Sequence, residues 1–250
     1  MISKLKKFIN FFDDDTLYAS ASLSFFTIFS ILPLLALFIM VVSSMPLFSS
    51  DADVLMLYIM DYINPTHSTQ LASVVSEFLS NSKDLESLGI FYLLFVFTMF
   101  FKDYEYTVNK IYNVKSRSIY RLFFTYLGFL ILIPVLFFIS VLLSTLSMVT
   151  INTHIASFIF IWILFVVLFI LSANTKISFV SAYISSFVTL AMLSITKLLF
   201  GYYVIANTAY MTIYGSFSIA LFFFLWIYIS WIIYLYGIKL CMILNKVENK

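Results

Sequence analysis

The sequence predicts an all-α, polytopic membrane protein whose six transmembrane helices form a single membrane domain over residues 1–250. Hydrophobic residues make up 63% of the chain and charged residues 10%, and the mean hydropathy is +1.06. An average soluble domain is about half apolar and about a quarter charged, so a soluble fold could not bury this composition. The apolar runs are long and continuous, which indicates helices, because a membrane barrel shows short alternating strands instead.

Six stretches are candidates to cross a membrane core, which takes roughly 20 helical residues. We predict spans at about 17–43, 88–108, 122–149, 155–171, 177–200 and 213–240. Span one has Asp15 as its expected N-cap, and a kink is expected at Pro33. Span two crosses only if it continues past Lys102, Asp103 and Glu105, which places these charges in its end.

The segment 44–87 is the one sizeable loop, and it has helical signals of its own. Its apolar residues share one face at helical spacing: Leu71, Val74, Val75, Phe78 and Leu79. This pattern predicts an amphipathic helix that lies on the membrane surface or caps the bundle. A further helix is predicted over 51–63, and Pro65 separates it from the first.

Lysine and arginine are distributed unevenly about these spans. If the N-terminus is cytoplasmic, twelve of the fourteen lie in inner segments and only Lys83 and Lys197 lie outside. Basic residues favour the cytoplasmic side of a membrane. Both termini are therefore predicted in the cytoplasm, and the helical 44–87 loop is predicted to be extracytoplasmic.

The most basic stretch is "NKIYNVKSRSIYR" at 109–121, with four Lys and Arg residues and no acid. Two tyrosines among basic residues also fit a nucleic-acid-binding patch. The stretch joins spans two and three on the predicted inner side, where its charges hold the loop and meet anionic lipid. We therefore expect membrane lipids as partners and no nucleic acid.

Small and hydroxylated residues run along spans one and five at helical spacing. Two interpretations stay open for them: close helix packing with hydrogen bonds between helices, or a polar translocation path. The candidate path residues are Ser20, Ser24, Thr27, Ser185 and Thr189.

The charged end of span two is the densest local cluster. Lys102 and Glu105 are three residues apart and can pair on one helix face, with Asp103 beside them. The cluster is either a salt-bridged helix end whose lysine reaches the interface or a functional site. The acids at 13–15 suit the positive end of the helix dipole of span one.

No cofactor or metal site is predicted. Cys241 is the only cysteine, and His67 and His154 are the only histidines. A Cys/His metal site cannot be assembled from so few ligands. A buried thiol on a helix is in most cases a packing residue.

A family resemblance emerges from several motifs taken in order. They are "LYASASLSFFTIFSILPLLALF" in span one, "VNKIYNVK" after span two, "NTKISFVSAYISS" opening span five, "TKLLFGYYV" closing it, and "YGSFSIALFFFLWIYISWIIYLYGIKL" in span six. Together they resemble the YihY/BrkB family of bacterial inner-membrane proteins. The resemblance covers nearly the whole chain and is most specific over 174–240. It implies six transmembrane helices in the bacterial inner membrane.

The resemblance also singles out positions. Those it implies as functional candidates are Asn109, Asn174, Thr175, Lys197, Tyr214 and Gly215, alongside Pro33, Gly201, Trp226 and Trp231. Tyr112 joins them, because a tryptophan is common in the family at this position. With Lys102, Asp103 and Glu105 from span two, these residues complete the set of candidates.

The family carries two functional labels, a virulence or serum-resistance factor and "ribonuclease BN", a tRNA-processing enzyme. A metal-dependent nuclease needs clustered histidine and carboxylate ligands on one side of the membrane, and both histidines here are predicted to be external. We therefore expect no enzyme. The bundle offers hydroxyls and aromatics with little fixed charge, which favours a transporter of a lipid-like or amphiphilic substrate. The alternative is a non-catalytic envelope assembly or resistance factor, with further copies of this chain or envelope proteins as partners.

Overall fold

The computed structural model describes residues 13–44, 69–82, 87–146, 153–207, 212–215 and 217–248. Its seven long helices are α1 Asp14–Ser44, α2 Thr69–Ser82, α3 Ser87–Tyr112, α4 Ile119–Leu146, α5 Thr153–Ser172, α6 Phe179–Ala206 and α7 Phe217–Glu248, and residues 212–214 are also helical. No strand occurs in these ranges, so the predicted all-α class is confirmed for them. The helix predicted over 51–63 lies outside the described residues.

Within the described ranges, three helical stretches are long and apolar enough to cross a membrane: Asp14–Leu37, Phe179–Ala206 and Phe217–Glu248. Shorter apolar stretches are found at Ile119–Leu132 and Phe158–Ser172. The helices match a membrane bundle by length and composition. The count of six spans and the cytoplasmic placement of both termini stay predictions.

Helix α7 is the centre of the bundle and packs against α6, α1 and α3. Neighbouring side chains define the helix directions. Asp13 meets Lys239 and Thr27 meets Trp231, so α1 and α7 are antiparallel. Phe100 lies 6.3 Å from Trp231.

Helices α3 and α7 run parallel. Phe100 lies beside Trp231, and one turn further along both helices Tyr104 bonds to Tyr234. Helix α6 runs opposite to α7, because Ser178 at its start meets Asn245 near the end of α7. We call the end of the bundle that contains the α3–α4 turn (113–118) and the α5–α6 turn (173–178) the basal end. It is the predicted cytoplasmic end.

Asp13 caps α1, with its Oδ1 accepting a hydrogen bond from the Thr16 backbone N–H at 3.0 Å. The prediction of Asp15 as N-cap is therefore wrong. An N-cap side chain accepts from the backbone N–H two or three residues later, as Asp13 does. The helix begins two residues earlier than the spacing of apolar residues suggests. Asp15 instead lies 3.8 Å from Lys110 of α3 in an exposed ion pair.

Helix α2 packs on α1. Val75 is buried in the main hydrophobic core, whereas Ser73, Ser76 and Glu77 are exposed. The amphipathic helix predicted in the 44–87 loop is thus present, with its apolar side towards the bundle. Of the predicted stripe, Val74 is exposed, while the side chains of 71, 78 and 79 lie outside the described residues.

Helices α6 and α7 approach each other closely at Gly237. A Cβ placed on Gly237 would lie 1.9 Å from Thr189 Oγ1 and 3.0 Å from Thr189 Cβ. Only a residue without a side chain fits there. Further along the same pair, away from the basal end, Phe200, Phe222 and Trp226 form a second buried cluster.

We predict that Gly237→Ala destabilises the protein by roughly 1–3 kcal/mol, the usual cost of overpacking. Thermal unfolding of the purified protein in detergent measures the effect. The matched control is Gly128→Ala on α4, where a Cβ meets nothing within 4 Å; there the helix propensity of alanine leaves stability equal or higher. Adding Thr189→Ala to Gly237→Ala restores part of the loss. A Gly237→Ala variant as stable as Gly128→Ala contradicts the close contact.

Candidate functional site

The last turn of α3 ends in a Schellman motif. Asn113 has a positive φ of 57°, which asparagine tolerates better than most residues. The Val114 N–H donates to the Asn109 carbonyl at 3.0 Å, and the Asn113 N–H donates to the Lys110 carbonyl at 3.1 Å. This pairing is the one expected of a helix that stops with a left-handed residue. It turns the chain sharply into the basal loop.

Asn109 is fully buried, and its side chain joins two parts of the bundle. Its Nδ2 donates to the Glu105 carbonyl at 2.9 Å, and its Oδ1 accepts from the Asn174 backbone N–H at 2.7 Å. Asn174 in turn donates from Nδ2 to the Lys115 carbonyl at 2.9 Å. Two asparagines therefore bind the end of α3, the α3–α4 turn and the α5–α6 turn to one another.

Glu105 is also fully buried and binds Arg117 of the α3–α4 turn. Its Oε1 accepts from the Arg117 backbone N–H at 2.6 Å, and its Oε2 lies 3.4 Å from Arg117 Nη1. Arg117 Nη2 donates to the Ala173 carbonyl at 2.7 Å. A buried charge is tolerated when it is paired and hydrogen-bonded in this way.

The predicted pairing of Lys102 with Glu105 is wrong. Lys102 is exposed and Asp103 is half-buried, while Glu105 is fully buried and binds Arg117. The spacing of Lys102 and Glu105 permits a pair on one face, but a partner twelve residues away offers both a backbone N–H and a guanidinium. The charged end of span two therefore has two parts. Glu105 belongs to a buried ion pair, whereas Lys102 and Asp103 lie nearer the surface.

The end of α7 closes the start of α6 in a similar way. Asn245 accepts from the Ser178 N–H at 2.8 Å and donates to the Lys176 carbonyl at 3.1 Å. Glu248 accepts from Ser181 Oγ at 3.0 Å and from Ser178 Oγ. The carboxylate lies at the N-terminus of α6, where the helix dipole favours a negative charge. Sequence reasoning missed Asn245 and Glu248; an amide at the polar edge of an apolar helix was the available signal.

Lys239 of α7 lies 2.6 Å from Asp13 Oδ2. Partial burial raises the pKa of Asp13, but the hydrogen bonds from Lys239 and Thr16 outweigh it and lower that pKa below its usual value. The pair holds the beginning of α1 against α7.

Not all predicted site residues meet at the basal end. Glu105, Asn109, Tyr112 and Asn174 do, and Thr175 is exposed beside them.

Lys197 lies far along α6. Tyr214 and Gly215 lie beyond it, where Gly215 has a φ of 55° and its carbonyl accepts from Ser218 Oγ at 2.7 Å.

The residues predicted as a polar path are buried or half-buried. Each of four hydroxyls donates to the carbonyl four residues earlier in its own helix: Ser20 at 2.8 Å, Ser24 at 2.6 Å, Thr27 at 2.7 Å and Thr189 at 2.7 Å. Thr27 also accepts from Trp231 Nε1 at 2.8 Å. The path itself stays a prediction.

A cluster of buried aromatics lies above the Glu105–Arg117 pair, and sequence reasoning did not find it. The hydroxyls of Tyr104 and Tyr234 hydrogen-bond to each other. Tyr126 stacks on Phe101 at 4.3 Å and lies edge-on to Tyr104 at 5.8 Å. Within the described ranges, no three His, Cys, Asp or Glu side chains come close enough to share a metal ion.

These features define an all-α membrane bundle with a hydrogen-bonded basal end. The family model described as "Virulence factor BrkB" matches residues 8–250, and the chain belongs to this family, as the YihY/BrkB resemblance predicted. It is thus an integral membrane protein of the UPF0761/BrkB group.

Similar proteins bear the name "UPF0761 membrane protein". One from Pseudoalteromonas atlantica is 27% identical over 96% of this chain and 85% of its own length. Those from Mannheimia succiniciproducens and Haemophilus influenzae are each 26% identical over 92% of this chain, and over 85% and 90% of their own lengths. No solved structure matches the chain.

We predict that Arg117→Met destabilises the protein by about 3 kcal/mol, because it leaves the Glu105 carboxylate buried without its cation. Thermal unfolding in detergent and the amount of folded protein in membranes measure the effect. Arg121→Met is the control, since it removes the same charge from an exposed position at the start of α4. Equal losses in both variants would show that the charge affects insertion and not the buried pair.

Proposed function

We propose that this protein binds a lipid-like or amphiphilic molecule within the bacterial inner membrane and moves it across the membrane, without catalysing a reaction. One observation carries the proposal. An apolar pocket of about 90 Å³ opens between α1, α2 and α7. It is lined by Ile28, Ile31, Leu32, Leu35, Val74, Val75 and Phe223.

The pocket suits the end of an alkyl chain. Every residue that lines it is apolar. Helices α1 and α7 are both apolar enough to cross a membrane, which supports lipids as the molecules beside the pocket. An acyl chain gains little hydrophobic free energy by moving from lipid into such a pocket, so van der Waals packing must select it.

Helix α2 supplies the polar side of the same site. Its buried face contributes Val75 to the pocket, and its other face exposes Ser73, Ser76 and Glu77. An amphipathic helix at the membrane interface holds its polar face at the level of the lipid headgroups. A molecule with an apolar tail and a polar head fits both faces of α2 at once.

The proposal places both termini in the cytoplasm and the pocket in the outer half of the membrane. The uneven distribution of Lys and Arg supports this orientation. The α1 residues of the pocket begin at Ile28, fifteen residues from the basal Asp13, which is about 22 Å along a helix.

We predict that Val74→Trp fills the pocket and removes its contact with lipid. Protein in bilayer nanodiscs is irradiated with a phospholipid that carries a photoreactive diazirine near the end of its acyl chain. Peptides covering 28–35 are then labelled several-fold less in the variant than in the wild type. The control is Val180→Trp on α6, because Val74 and Val180 are equally exposed, at 54% and 53%. Equal labelling of 28–35 in all three proteins contradicts a binding role for the pocket.

Movement of the substrate is tested separately. Proteoliposomes containing the protein should move a fluorescent lipid between leaflets faster than empty liposomes, and Val74→Trp should slow this movement. If the candidate path residues take part, Ser24→Ala and Thr189→Val slow it while the protein stays folded. Unchanged rates in these two variants would leave the hydroxyls with a packing role only.

A docking role is the second candidate, and the ordered basal turn favours it. Lys115, Tyr120 and Arg121 are exposed on a segment that Asn174 and Glu105 hold in place. Such a fixed basic surface suits an envelope protein or another copy of this chain.

For the docking role we predict that a photo-crosslinking residue at position 115 captures a defined protein in cells, and that Asn174→Ala weakens the capture because the turn loses its anchor. The same residue placed at Tyr202 on the exposed face of α6 is the control. A monomer with no crosslinked product at position 115 counts against docking.

A further inference from the structure

The first two turns of α6 expose a shallow apolar groove next to the basal end of the bundle. It is lined by Phe179, Val180, Tyr183 and Ile184, all of which are exposed. Residues at this spacing lie on one side of a helix. The four residues extend over only about 8 Å of helix, so the groove begins at the boundary between the basal turns and the apolar part of α6.

Helix α5 holds one wall of this groove in place. The ring of Trp162 lies 4.4 Å from the ring of Tyr183, and its Nε1 donates to Ser186 Oγ at 3.2 Å and to the Tyr183 carbonyl at 3.3 Å. Phe179 also contacts Tyr183, with the ring centroids 5.9 Å apart. The groove therefore has walls that are fixed before any molecule binds, which lowers the cost of binding.

Two exposed lysines lie where the groove reaches the basal turns. Lys176 is three residues before Phe179, and Lys115 is on the α3–α4 turn. The two turns are in contact, because Asn174 Nδ2 donates to the Lys115 carbonyl at 2.9 Å. Neither lysine makes an ion pair within the part of the chain that the structure describes, whereas three other basic residues of the basal end do.

Helix α7 fixes the turn that carries Lys176. Asn245 donates to the Lys176 carbonyl at 3.1 Å and accepts from the Ser178 N–H at 2.8 Å. The carboxylate of Glu248 binds Ser181, which is on the buried side of α6, so this negative charge lies away from the exposed groove. The basal end of the groove is therefore positively charged.

These features select a molecule that has both an apolar chain and an anionic head. A soluble anion would contact only the lysines, and a neutral lipid would use only the groove. An anionic phospholipid contacts both, because its phosphate attracts lysine ammonium groups at the membrane surface. A second copy of this chain fits less well. Two copies in the same membrane orientation are related by an axis along the membrane normal, so a contact between their grooves would bring lysines of like charge together.

We propose that Lys115, Lys176 and the groove over 179–184 form a binding site for an anionic phospholipid of the leaflet at the basal end. The lysines bind the phosphate, and the first part of an acyl chain lies in the groove. This site is separate from the pocket between α1, α2 and α7, and it does not depend on the lipid movement proposed above.

Native mass spectrometry of the full-length protein in detergent tests the headgroup. Phosphatidylglycerol should bind better than phosphatidylcholine with the same acyl chains. Lys115→Met combined with Lys176→Met should weaken phosphatidylglycerol binding roughly tenfold and leave phosphatidylcholine binding unchanged. The control is Lys102→Met with Lys110→Met, which removes two exposed lysines from α3 and should retain the preference. Equal binding of the two lipids by the wild type, or equal losses in both double variants, overturns the proposal.

The groove is tested in the same experiment. Ile184→Asn should weaken phosphatidylglycerol binding several-fold, because it puts a polar side chain against the acyl chain. Met192→Asn is the matched control, since Met192 lies two turns further along α6 and is 49% exposed against 44% for Ile184. The soluble headgroup glycerophosphoglycerol should not displace the lipid. Displacement by this headgroup, equal losses in the two asparagine variants, or a dimer that excludes the lipid overturns the proposal.

Discussion

The buried amide of Asn109 is the contact on which the basal end of the molecule depends. It accepts from the chain that leaves α5 and donates to the helix that carries Glu105. Around it, Arg117 and Asn174 tie the two basal turns to the ends of α3 and α5. The segments between membrane helices carry backbone groups that no helix satisfies. Where such groups are buried away from water they need protein partners, and these side chains provide them.

The same constraint shapes the interior of the bundle. The hydroxyls of α1 and of Thr189 donate hydrogen bonds to carbonyls of their own helices. Neighbouring helices therefore approach small side chains whose O–H donor is already used. That permits the contact between Thr189 and Gly237, and the hydrogen bond from Trp231 to Thr27. The aromatic cluster around Tyr104 and Tyr234 places large side chains between α7 and its neighbours α3 and α5. Small residues bring α7 close to α6, and large ones separate it from α3 and α5.

This division gives the molecule two different ends. The basal end is crossed by hydrogen bonds between residues far apart in sequence, and its turns are fixed. In the described part of the opposite half, apolar contacts join α6 to α7, among them Phe200 with Trp226. The apolar pocket lies in that half, between α1, α7 and an amphipathic helix that rests on α1 through Val75.

Composition and periodicity alone determined that the protein is an all-α membrane protein, and motif order determined its family, because both signals are written along the chain. Asn109, Tyr112 and Asn174 were also accessible as positions in the family pattern. What only the tertiary structure decided is which groups meet: Asp13 and not Asp15 caps α1, and Arg117 and not Lys102 binds Glu105. The first outcome depends on the residue at which α1 begins, and the second on the way the α3–α4 turn folds back against α3. Helical spacing reports only which residues share a face, whereas the buried partner of a charge is set by the turn that packs against that face.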